Sequence, residues 1–264
     1  MTTTAQTQIA PGTTPRPASN MVSVASGKGG VGKTWFSITL AHALARAGRR
    51  ALLFDGDLGL ANVDIQLGLM PSRDLGGVLA GQLTLGQATV PFEDGDFAII
   101  AGRSGMGSLA SLPANRLVAL GRELTELAGS YDWVVMDLGA GVDRTVRLMT
   151  AQAGACLVVT TDEPTALTDA YAFIKVTTTE NPNADIRVVV NMATSRRDGE
   201  RTYETLRKAC QGFLKFSPPL AGVVRRDSRV KDSIRSQSAL LTRYPNSEAA
   251  QDMEAIAKRI VAGS

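Results

Sequence analysis

The sequence predicts an α/β fold in which a doubly wound, mostly parallel sheet is flanked by helices on both faces. Two observations predict it. Apolar runs of strand length, such as 51–55 and 133–137, are nearly continuous in Val, Leu, Ile and Ala. Parallel strands that are covered on both faces have this pattern, whereas half-exposed strands alternate. Amphipathic stretches of helix length separate the runs, and this alternation predicts right-handed crossovers with ligands at the carboxyl ends of the strands.

The predicted elements follow the chain in a regular order. Strands are predicted over 21–26, 51–55, 97–102, 133–137, 156–160, 186–191 and 220–224, and helices over 34–47, 114–128, 165–179, 200–213 and 246–261. The sequence has no internal repeat, and it has no linker that would separate a second domain. Residues 21–264 are therefore predicted to form one domain. Residues 1–20 are rich in Thr, Pro, Ala and Gly and bury too little apolar surface to offset ordering, which predicts a disordered tail.

The composition is that of an ordinary globular protein. The chain has 264 residues, of which 44% are hydrophobic and 20% charged. It contains no uninterrupted apolar run long enough to cross a membrane, and its first residues do not resemble a secretory signal. Cys156 and Cys210 lie far apart in apolar or helical contexts, which argues against a disulfide framework. We therefore expect a cytoplasmic protein.

Positive charge is concentrated between residues 187 and 243, where Lys and Arg outnumber Asp and Glu. A basic surface there could bind anionic lipid, nucleic acid or an acidic partner. A solvated face without a specific partner is an equal alternative.

One motif carries a definite chemistry. The segment from Gly27 to Thr34, GKGGVGKT, matches G-x-x-x-x-G-K-[ST], with a predicted strand directly before it and a predicted helix directly after it. Its glycines let backbone N–H groups surround phosphate oxygens, and the start of the helix adds positive potential. Lys33 can reach the β- and γ-phosphates and the Thr34 hydroxyl can ligate Mg²⁺. The segment predicts a P-loop NTPase, with a nucleotide held by Gly29, Gly30, Val31, Gly32, Lys33 and Thr34.

A second lysine, Lys28, lies inside the loop. The string KGGVGKT resembles the deviant Walker A signature of the MinD/ParA superfamily of ATPases. That resemblance implies ATP as the nucleotide and a homodimer in the ATP-bound state. It also implies that Lys28 acts catalytically on the phosphates held by the partner subunit, as an arginine finger does. The alternative is a solvated loop lysine.

Acidic residues follow two of the predicted strands. Asp55 ends the run ALLFD and Asp57 follows two residues later. Both belong to the string DGDLGLANVD, which resembles the family's switch I. The resemblance makes Asp57 the carboxylate that positions the attacking water and Asp55 a contact to the Mg²⁺ site, while a helix cap is the alternative for Asp55. WVVMD ends in Asp137, a Walker B pattern whose acid reaches Mg²⁺. Leu138-Gly139 departs from the family's usual residues there.

Asn191 ends the run IRVVVN, and its amide could pair with the donor and acceptor of an adenine edge. The resemblance implies this role. The following stretch AGVVRRDSRVKDSI resembles the loop that flanks adenine in the family, with Arg225-Arg226 where a proline is usual.

The segment TTDEPTALTDAYAFIK, residues 160–175, resembles the flagellar-number regulators FlhG/FleN, in which this helix contacts partners through the residues matching Asp169, Ala170 and Tyr171. Core packing is the alternative for Tyr171. The resemblance implies an ATPase that controls placement or number of a polar structure such as the flagellum and is stimulated by an unidentified protein partner. It also implies a protein that is cytoplasmic, polar or peripheral to the inner membrane face. The N-terminal tail carries no activator helix of the kind seen in that branch.

Two alternatives remain for surface binding. A ParA-like partition ATPase would bind nonspecific DNA through the 187–243 region, and such binding would weaken steeply with salt. The C-terminal segment 246–261 could contact a membrane, but it lacks the aromatic residues and the dense basic face of a strong targeting helix, so we expect it to pack as the last helix of the domain.

Other enzyme classes have little support. An iron–sulfur relative needs paired cysteines, and the chain has no C-x-x-C. The sole histidine, His42, lies among alanines and leucines inside the first helix, where packing is expected. Trp35, directly after Thr34, is also expected to pack in the first helical turn.

Overall fold

An eight-stranded sheet forms the centre of the computed structural model, which describes residues 18–57, 61–102 and 112–263. The strand order is β3-β4-β2-β5-β1-β6-β7-β8. All neighbouring strands are parallel except β3, which pairs antiparallel with β4 at one edge. The strands are β1 (Ala18–Ser26), β2 (Ala51–Asp55), β3 (Val90–Phe92), β4 (Phe97–Ile100), β5 (Trp133–Ala140), β6 (Ala153–Thr160), β7 (Ile186–Ala193) and β8 (Leu220–Arg225). The predicted fold class is confirmed.

Helices cover both faces of the sheet. Within the described residues they are α1 (Lys33–Arg46), α2 (Val63–Leu67), α3 (Leu75–Leu79), α4 (Leu85–Ala88), α5 (Ala114–Ala128), α6 (Arg144–Thr150), α7 (Pro164–Glu180), α8 (Arg196–Leu214), α9 (Ser228–Arg235), α10 (Leu240–Arg243) and α11 (Glu248–Ala262). A 3₁₀ turn spans Glu93–Gly95. The five predicted helices are present as α1, α5, α7, α8 and α11, with ends that differ by a few residues.

Two strands differ from the sequence prediction, because β1 starts earlier than predicted and β3 was not predicted. The strand β1 begins at Ala18, and the Asn20 amide donates to the carbonyls of Ala128 and Tyr131 at 2.8 and 3.0 Å. Residues 18–20 therefore belong to the sheet, while residues 1–17 of the predicted tail lie outside the described residues. The strand β3 contains Pro91, which an edge strand tolerates, and is too short to give a pattern.

Successive residues of the strands point into two separate cores. Leu53 and Val24 belong to the core under α1 and α11, whereas Leu52, Phe54 and Ala25 belong to the core under α5, α7 and α8. Because both faces are buried, the strands have no polar face, which explains the nearly continuous apolar runs in the sequence.

The chain reverses its direction of winding at β1, which lies between β5 and β6 in the middle of the sheet. The loop after β1 therefore opens at the switch point, where doubly wound folds bind ligands. The carboxyl ends of β2, β5, β6, β7 and β8 surround this loop.

The C-terminal helix α11 packs as part of the domain. Its apolar residues Ala250, Met253, Ile256 and Ile260 are buried in the same core as α1. The expectation that it forms the last helix of the domain is confirmed. In the part of the chain that the structure describes, no helix is long and apolar enough to span a bilayer.

Candidate functional site

The glycine-rich loop connects β1 to α1. Gly30 and Gly32 have φ values of +82° and +86°, a region that only glycine adopts readily. The Ser26 hydroxyl donates to the Lys28 carbonyl at 2.8 Å and fixes the start of the loop. Gly32 is the N-cap of α1 and has no side chain, so an anion can take the place of a capping oxygen. The sequence-predicted phosphate loop thus has the required shape.

Two glycines of the loop are also required by their neighbours. A Cβ at Gly27 would lie 2.1 Å from the backbone oxygen of Asp169 in α7. A Cβ at Gly32 would lie 2.5 Å from Nδ2 of Asn191 in β7. The loop is therefore wedged against both neighbouring segments, a constraint that the sequence motif does not reveal.

Asp137 lies under the first turn of α1. The Ser37 hydroxyl donates to Asp137 Oδ1 at 2.9 Å. Burial raises the pKa of Asp137, and the charge of Lys33 with hydrogen bonds from Thr34 and Ser37 opposes that shift. Its other oxygen, Oδ2, is buried and has no hydrogen-bond partner among the described residues. Ser37 was missed from the sequence, although its place one helical turn after Lys33 is a usable signal.

Asp55 and Asp137 are register partners on the adjacent strands β2 and β5. Both side chains are fully buried. Burial, and next the negative charge of Asp137, raise the pKa of Asp55 to about 8. Two buried carboxylates with one unpaired oxygen are a costly arrangement that a cation would relieve.

This arrangement fits a divalent cation. The described residues contain no cluster of three or more Asp, Glu, His or Cys able to enclose a metal. Mg²⁺ does not need one, because it commonly takes one or two carboxylates together with substrate phosphates and water. Thr34, Asp55 and Asp137 are the residues that would hold it.

Asp55 also organises the segment after β2. Its carboxylate accepts from the backbone N–H of Asp57 at 3.2 Å and of Val63, the first residue of α2, at 3.4 Å. The helix-cap interpretation therefore describes a real contact of Asp55. Residues 58–60 of the predicted switch lie outside the described residues.

Asp57 lies beside the segment that follows Asp137. A Cβ at Gly139 would be 3.6 Å from Asp57 Oδ1. The strand β5 continues past Asp137 to Ala140, and Gly141, with φ +101°, donates its N–H to the Ser26 carbonyl at 2.8 Å. The Gly56 N–H also donates to the Asp137 carbonyl at 2.8 Å, so the two acidic segments are joined to each other and to the end of β1.

Asn191 is buried, and its Nδ2 donates to the Val31 carbonyl at 2.8 Å. This bond ties β7 to the phosphate loop. The strand runs two residues past Asn191 to Ala193, and Met192 has a φ of +58°. Contact of Asn191 with a base stays a prediction.

Lys28 is bound within its own chain. Its ammonium group donates to Glu163 Oε2 at 2.7 Å and to the Thr165 hydroxyl at 2.8 Å. The hydrogen bond and charge of Lys28 hold the pKa of Glu163 below its ordinary value. Glu163 and Thr165 begin α7, across the switch point from the loop. Their role was missed from the sequence, because nothing local links positions this far apart.

The segment 160–175 has a buried side that packs in the core and an exposed side. Ala170 and Phe173 are fully buried. Tyr171 is half-buried, with its ring edge-on to Phe213 at 6.5 Å between centroids. Phe213 on α8 is 81% exposed.

His42 and Trp35 belong to α1 and are both buried, as expected of packing residues. Burial, and next the charge of Arg46, lower the pKa of His42 to about 4. Cys156 and Cys210 are buried free thiols, in agreement with the expectation of no disulfide framework.

The basic stretch 187–243 is partly neutralised by carboxylates. The paired arginines in it are Arg187, Arg196, Arg201, Arg207, Arg225 and Arg243. About half of its positive charges therefore lie beside a carboxylate, which lowers the net positive charge that the region presents to a polyanion.

Comparison with known proteins agrees with this site. Residues 22–241 match the family model of the CobQ/CobB/MinD/ParA nucleotide binding domain. The chain is 36% identical over 240 residues to the antiactivator FleN of Pseudomonas aeruginosa, with coverage of 91% of this chain and 85% of the relative. It is 30% identical over 242 residues to the flagellum site-determining protein YlxH of Helicobacter pylori, with coverage of 91% and 81%.

Among solved structures, the septum site-determining protein MinD of Pyrococcus horikoshii complexed with Mg-ADP is similar, with a TM-score of 0.78 and 25% identity. That similarity covers 93% of this chain and 98% of the other. The phosphate loop, the paired aspartates and all of the sheet except the first residues of β1 lie within residues 22–241. The chain therefore belongs to the CobQ/CobB/MinD/ParA family of nucleotide binding domains, with relatives in its flagellar branch.

Proposed function

We propose that this chain is a Mg²⁺-dependent ATPase that dimerises around ATP and controls the number or placement of flagella. The observation that carries the proposal is the phosphate loop with two lysines in different situations. Lys33 is buried beside Asp137, whereas Lys28 lies at the rim and is bound to Glu163. A lysine at the rim can leave its carboxylate for a second molecule, while the buried one cannot.

The residues of the site have separate roles in ATP hydrolysis. Lys33 and the first turn of α1 bind and orient the terminal phosphates. Thr34, Asp55 and Asp137 would hold Mg²⁺, and the ion would supply positive charge to neutralise the charge that develops on the phosphates. Asp57 orients the attacking water, and its position beside Gly139 places that water close to the segment after Asp137. Asn191 and the residues after β8 receive the adenine base.

Lys28 makes hydrolysis depend on a second subunit. In the single chain it is satisfied by Glu163 and Thr165. When two chains meet, Lys28 of each supplies positive charge to the phosphates of the other, where it stabilises the transition state. A low basal rate, raised by dimerisation and by a stimulating protein partner, follows from this design.

The flagellar role rests on the relatives. FleN is an antiactivator and YlxH is a flagellum site-determining protein, and both are similar to this chain over nine-tenths of its length. Counting flagella in cells of the source organism that lack the protein tests the role. The wild-type chain should restore number and position, and Lys33→Ala should not. Unaltered flagella in the deletion strain would refute it.

Purified protein tests the ATPase switch. Wild type should bind Mg-ATP, hydrolyse it, and dimerise with a non-hydrolysable analogue, as measured by light scattering. Lys33→Ala should lose nucleotide binding, whereas Lys28→Ala should bind nucleotide but stay monomeric. Lys208→Ala, an exposed lysine on α8, is the matched control and should behave as wild type. Undiminished dimerisation of Lys28→Ala, or no affinity of wild type for ATP, would overturn the proposal.

The partition-type alternative has its own test. Gel-shift of DNA by wild type, with and without ATP at two salt concentrations, should show no ATP-dependent retardation. Retardation that appears only with ATP and disappears at higher salt would favour DNA as the surface instead.

A further inference from the structure

The buried carboxylate of Asp252 lies outside the residues that match the nucleotide-binding family, which end at 241. It is in α11 and its side chain is 0% exposed. A buried charge is strongly unfavourable unless it is fully paired. Its partners therefore show what this position does.

Those partners come from two segments next to the nucleotide site. Arg225, the last residue of β8, donates to Asp252 through its backbone N–H at 3.0 Å, its Nε at 2.8 Å and its Nη2 at 3.0 Å. Arg196, the first residue of α8, donates through Nη2 at 2.7 Å. Burial alone would raise the pKa of Asp252, but these hydrogen bonds outweigh it and hold that pKa below its ordinary value.

Arg225 begins the loop that follows β8. Its register partner is Ala193 of β7, two residues after Asn191. The next residue, Arg226, donates its backbone N–H to the Ala193 carbonyl at 2.8 Å. Asp227, at the far end of the loop, accepts from the N–H of Ala249 in α11 at 3.3 Å. The loop is thus fixed between α11 on one side and the end of β7 on the other.

At its far end the same loop caps α9, where Asp227 Oδ1 accepts from the Arg229 N–H at 2.9 Å. Residues 225–228, Arg-Arg-Asp-Ser, contain no proline that would fix the backbone. Its geometry depends on hydrogen bonds to its surroundings, and Asp252 accepts three of them. The charged bonds from the Arg225 guanidinium to this buried carboxylate make it the strongest of those restraints, and Glu248 at the start of α11 forms a second, more exposed ion pair with Arg225.

We propose that Asp252 is a positioning residue for base recognition, holding the loop after β8 and the end of β7 at the spacing that accepts the adenine ring. This inference rests on the proposed nucleotide site. Asp252 touches neither the phosphates nor the metal residues, so it acts on the affinity for the base and not on the phosphate subsite. The C-terminal helix thereby becomes part of the nucleotide specificity of the domain.

The test compares ligands with and without a base. Binding of Mg-ATP and of magnesium tripolyphosphate, which fills only the phosphate subsite, is measured by calorimetry for wild type, Asp252→Asn and Arg196→Gln. Asp252→Asn should lower the affinity for ATP by about tenfold and leave that for tripolyphosphate within about twofold, because the charged hydrogen bonds that hold Arg225 and the loop after β8 in place are weakened. Arg196→Gln should shift the ratio in the same direction by less.

A matched control separates positioning from stability. Ile260→Ala lies on α11 two turns beyond Asp252 and creates a cavity in the core, whereas Arg225 is held by Glu248 and Asp252. It should lower the melting temperature and leave the ratio of the two affinities unchanged. If Asp252→Asn does not fold, the half-exposed Arg196 still provides the test through Arg196→Gln.

The outcomes are distinct. An unchanged ratio in both Asp252→Asn and Arg196→Gln, or equal losses for both ligands, would overturn the role of Asp252 alone. Failure of wild-type protein to bind either ligand would overturn the proposed function and this inference with it.

Discussion

Lys28 and Glu163 form an ion pair of 2.7 Å across the switch point of the sheet, joining the phosphate loop to the first turn of α7. The two residues are 135 positions apart in the chain. The pair occupies the lysine that the proposed dimer needs, so its strength bears on how easily two chains associate.

Replacing Glu163 with Gln should favour dimerisation. The substitution removes the charge that holds Lys28 while keeping the size of the side chain. Light scattering across a concentration series, with a non-hydrolysable ATP analogue, should show a several-fold lower concentration for half-dimerisation. Glu180→Gln is the control, because Glu180 is an exposed carboxylate at the other end of α7 that pairs with Arg147. Weaker dimerisation of Glu163→Gln would mean that Glu163 itself contacts the second subunit.

Replacing Asp57 with Asn should separate binding from hydrolysis. The amide has nearly the same shape but cannot orient water as a carboxylate does, so the hydrolysis rate should fall by about a hundredfold or more. ATP affinity and ATP-dependent dimerisation should persist, since Asp57 is not among the residues that hold the phosphates. Phosphate release and light scattering measure the two properties. Hydrolysis at the wild-type rate would remove Asp57 from the mechanism.

The stability of the fold should depend on His42 at mildly acid pH. Its pKa is about 4 in the folded chain against 6.5 when unfolded, so between these values the unfolded state binds the extra proton. The contribution of neutral His42 to the free energy of unfolding is therefore fully present above about pH 6.5. It is lost as the pH falls towards 4, by about 3 kcal/mol in total. Thermal unfolding from pH 7.5 to 4.5 should show this loss.

His42→Leu isolates that contribution. His42 is the sole histidine of the chain, so its replacement removes all histidine titration from untagged protein. The difference in stability between wild type and His42→Leu should change across this pH range. Parallel pH profiles of the two proteins would contradict the prediction.

Gly27 and Gly29 should differ sharply in their tolerance of alanine. A Cβ at Gly27 would overlap the Asp169 backbone oxygen of α7, whereas one at Gly29 would meet nothing within 4 Å. Gly27→Ala should therefore lower the free energy of unfolding by about 1–3 kcal/mol, and Gly29→Ala should leave it nearly unchanged. Denaturant titration of the nucleotide-free proteins measures both. Equal stability of the two variants would show that α7 can move away from the loop at little cost.

Much of the fold could be predicted because its signals are patterns of neighbouring residues in the sequence. The apolar strands are continuous since both faces are buried, and Asp55 and Asp137 stand out because each ends such a run. The phosphate loop is recognisable because its glycines and Lys33 are contiguous. Each of these signals lies within a few residues of what it predicts.

The remaining features depend on which segments the topology brings together. Lys28 meets Glu163, and Asp252 meets Arg196, only because β6, β7 and β8 lie in one order in the sheet. The edge strand β3 is too short for a periodic signal, and its pairing comes from β4. Asn191 was predicted as the end of a strand, but β7 continues because Ala193 pairs with Arg225.

The packing of α11 affects how the cellular location of the protein should be studied. Deleting the residues from Glu248 onward would expose the core under α1 and release Arg225 together with the loop it begins. If a truncated chain were mislocalised in the cell, the cause would therefore be misfolding and not the loss of a membrane anchor. Point substitutions on the outward side of this helix, at Lys258 or Gln251, are the changes that can reveal whether it meets a lipid surface.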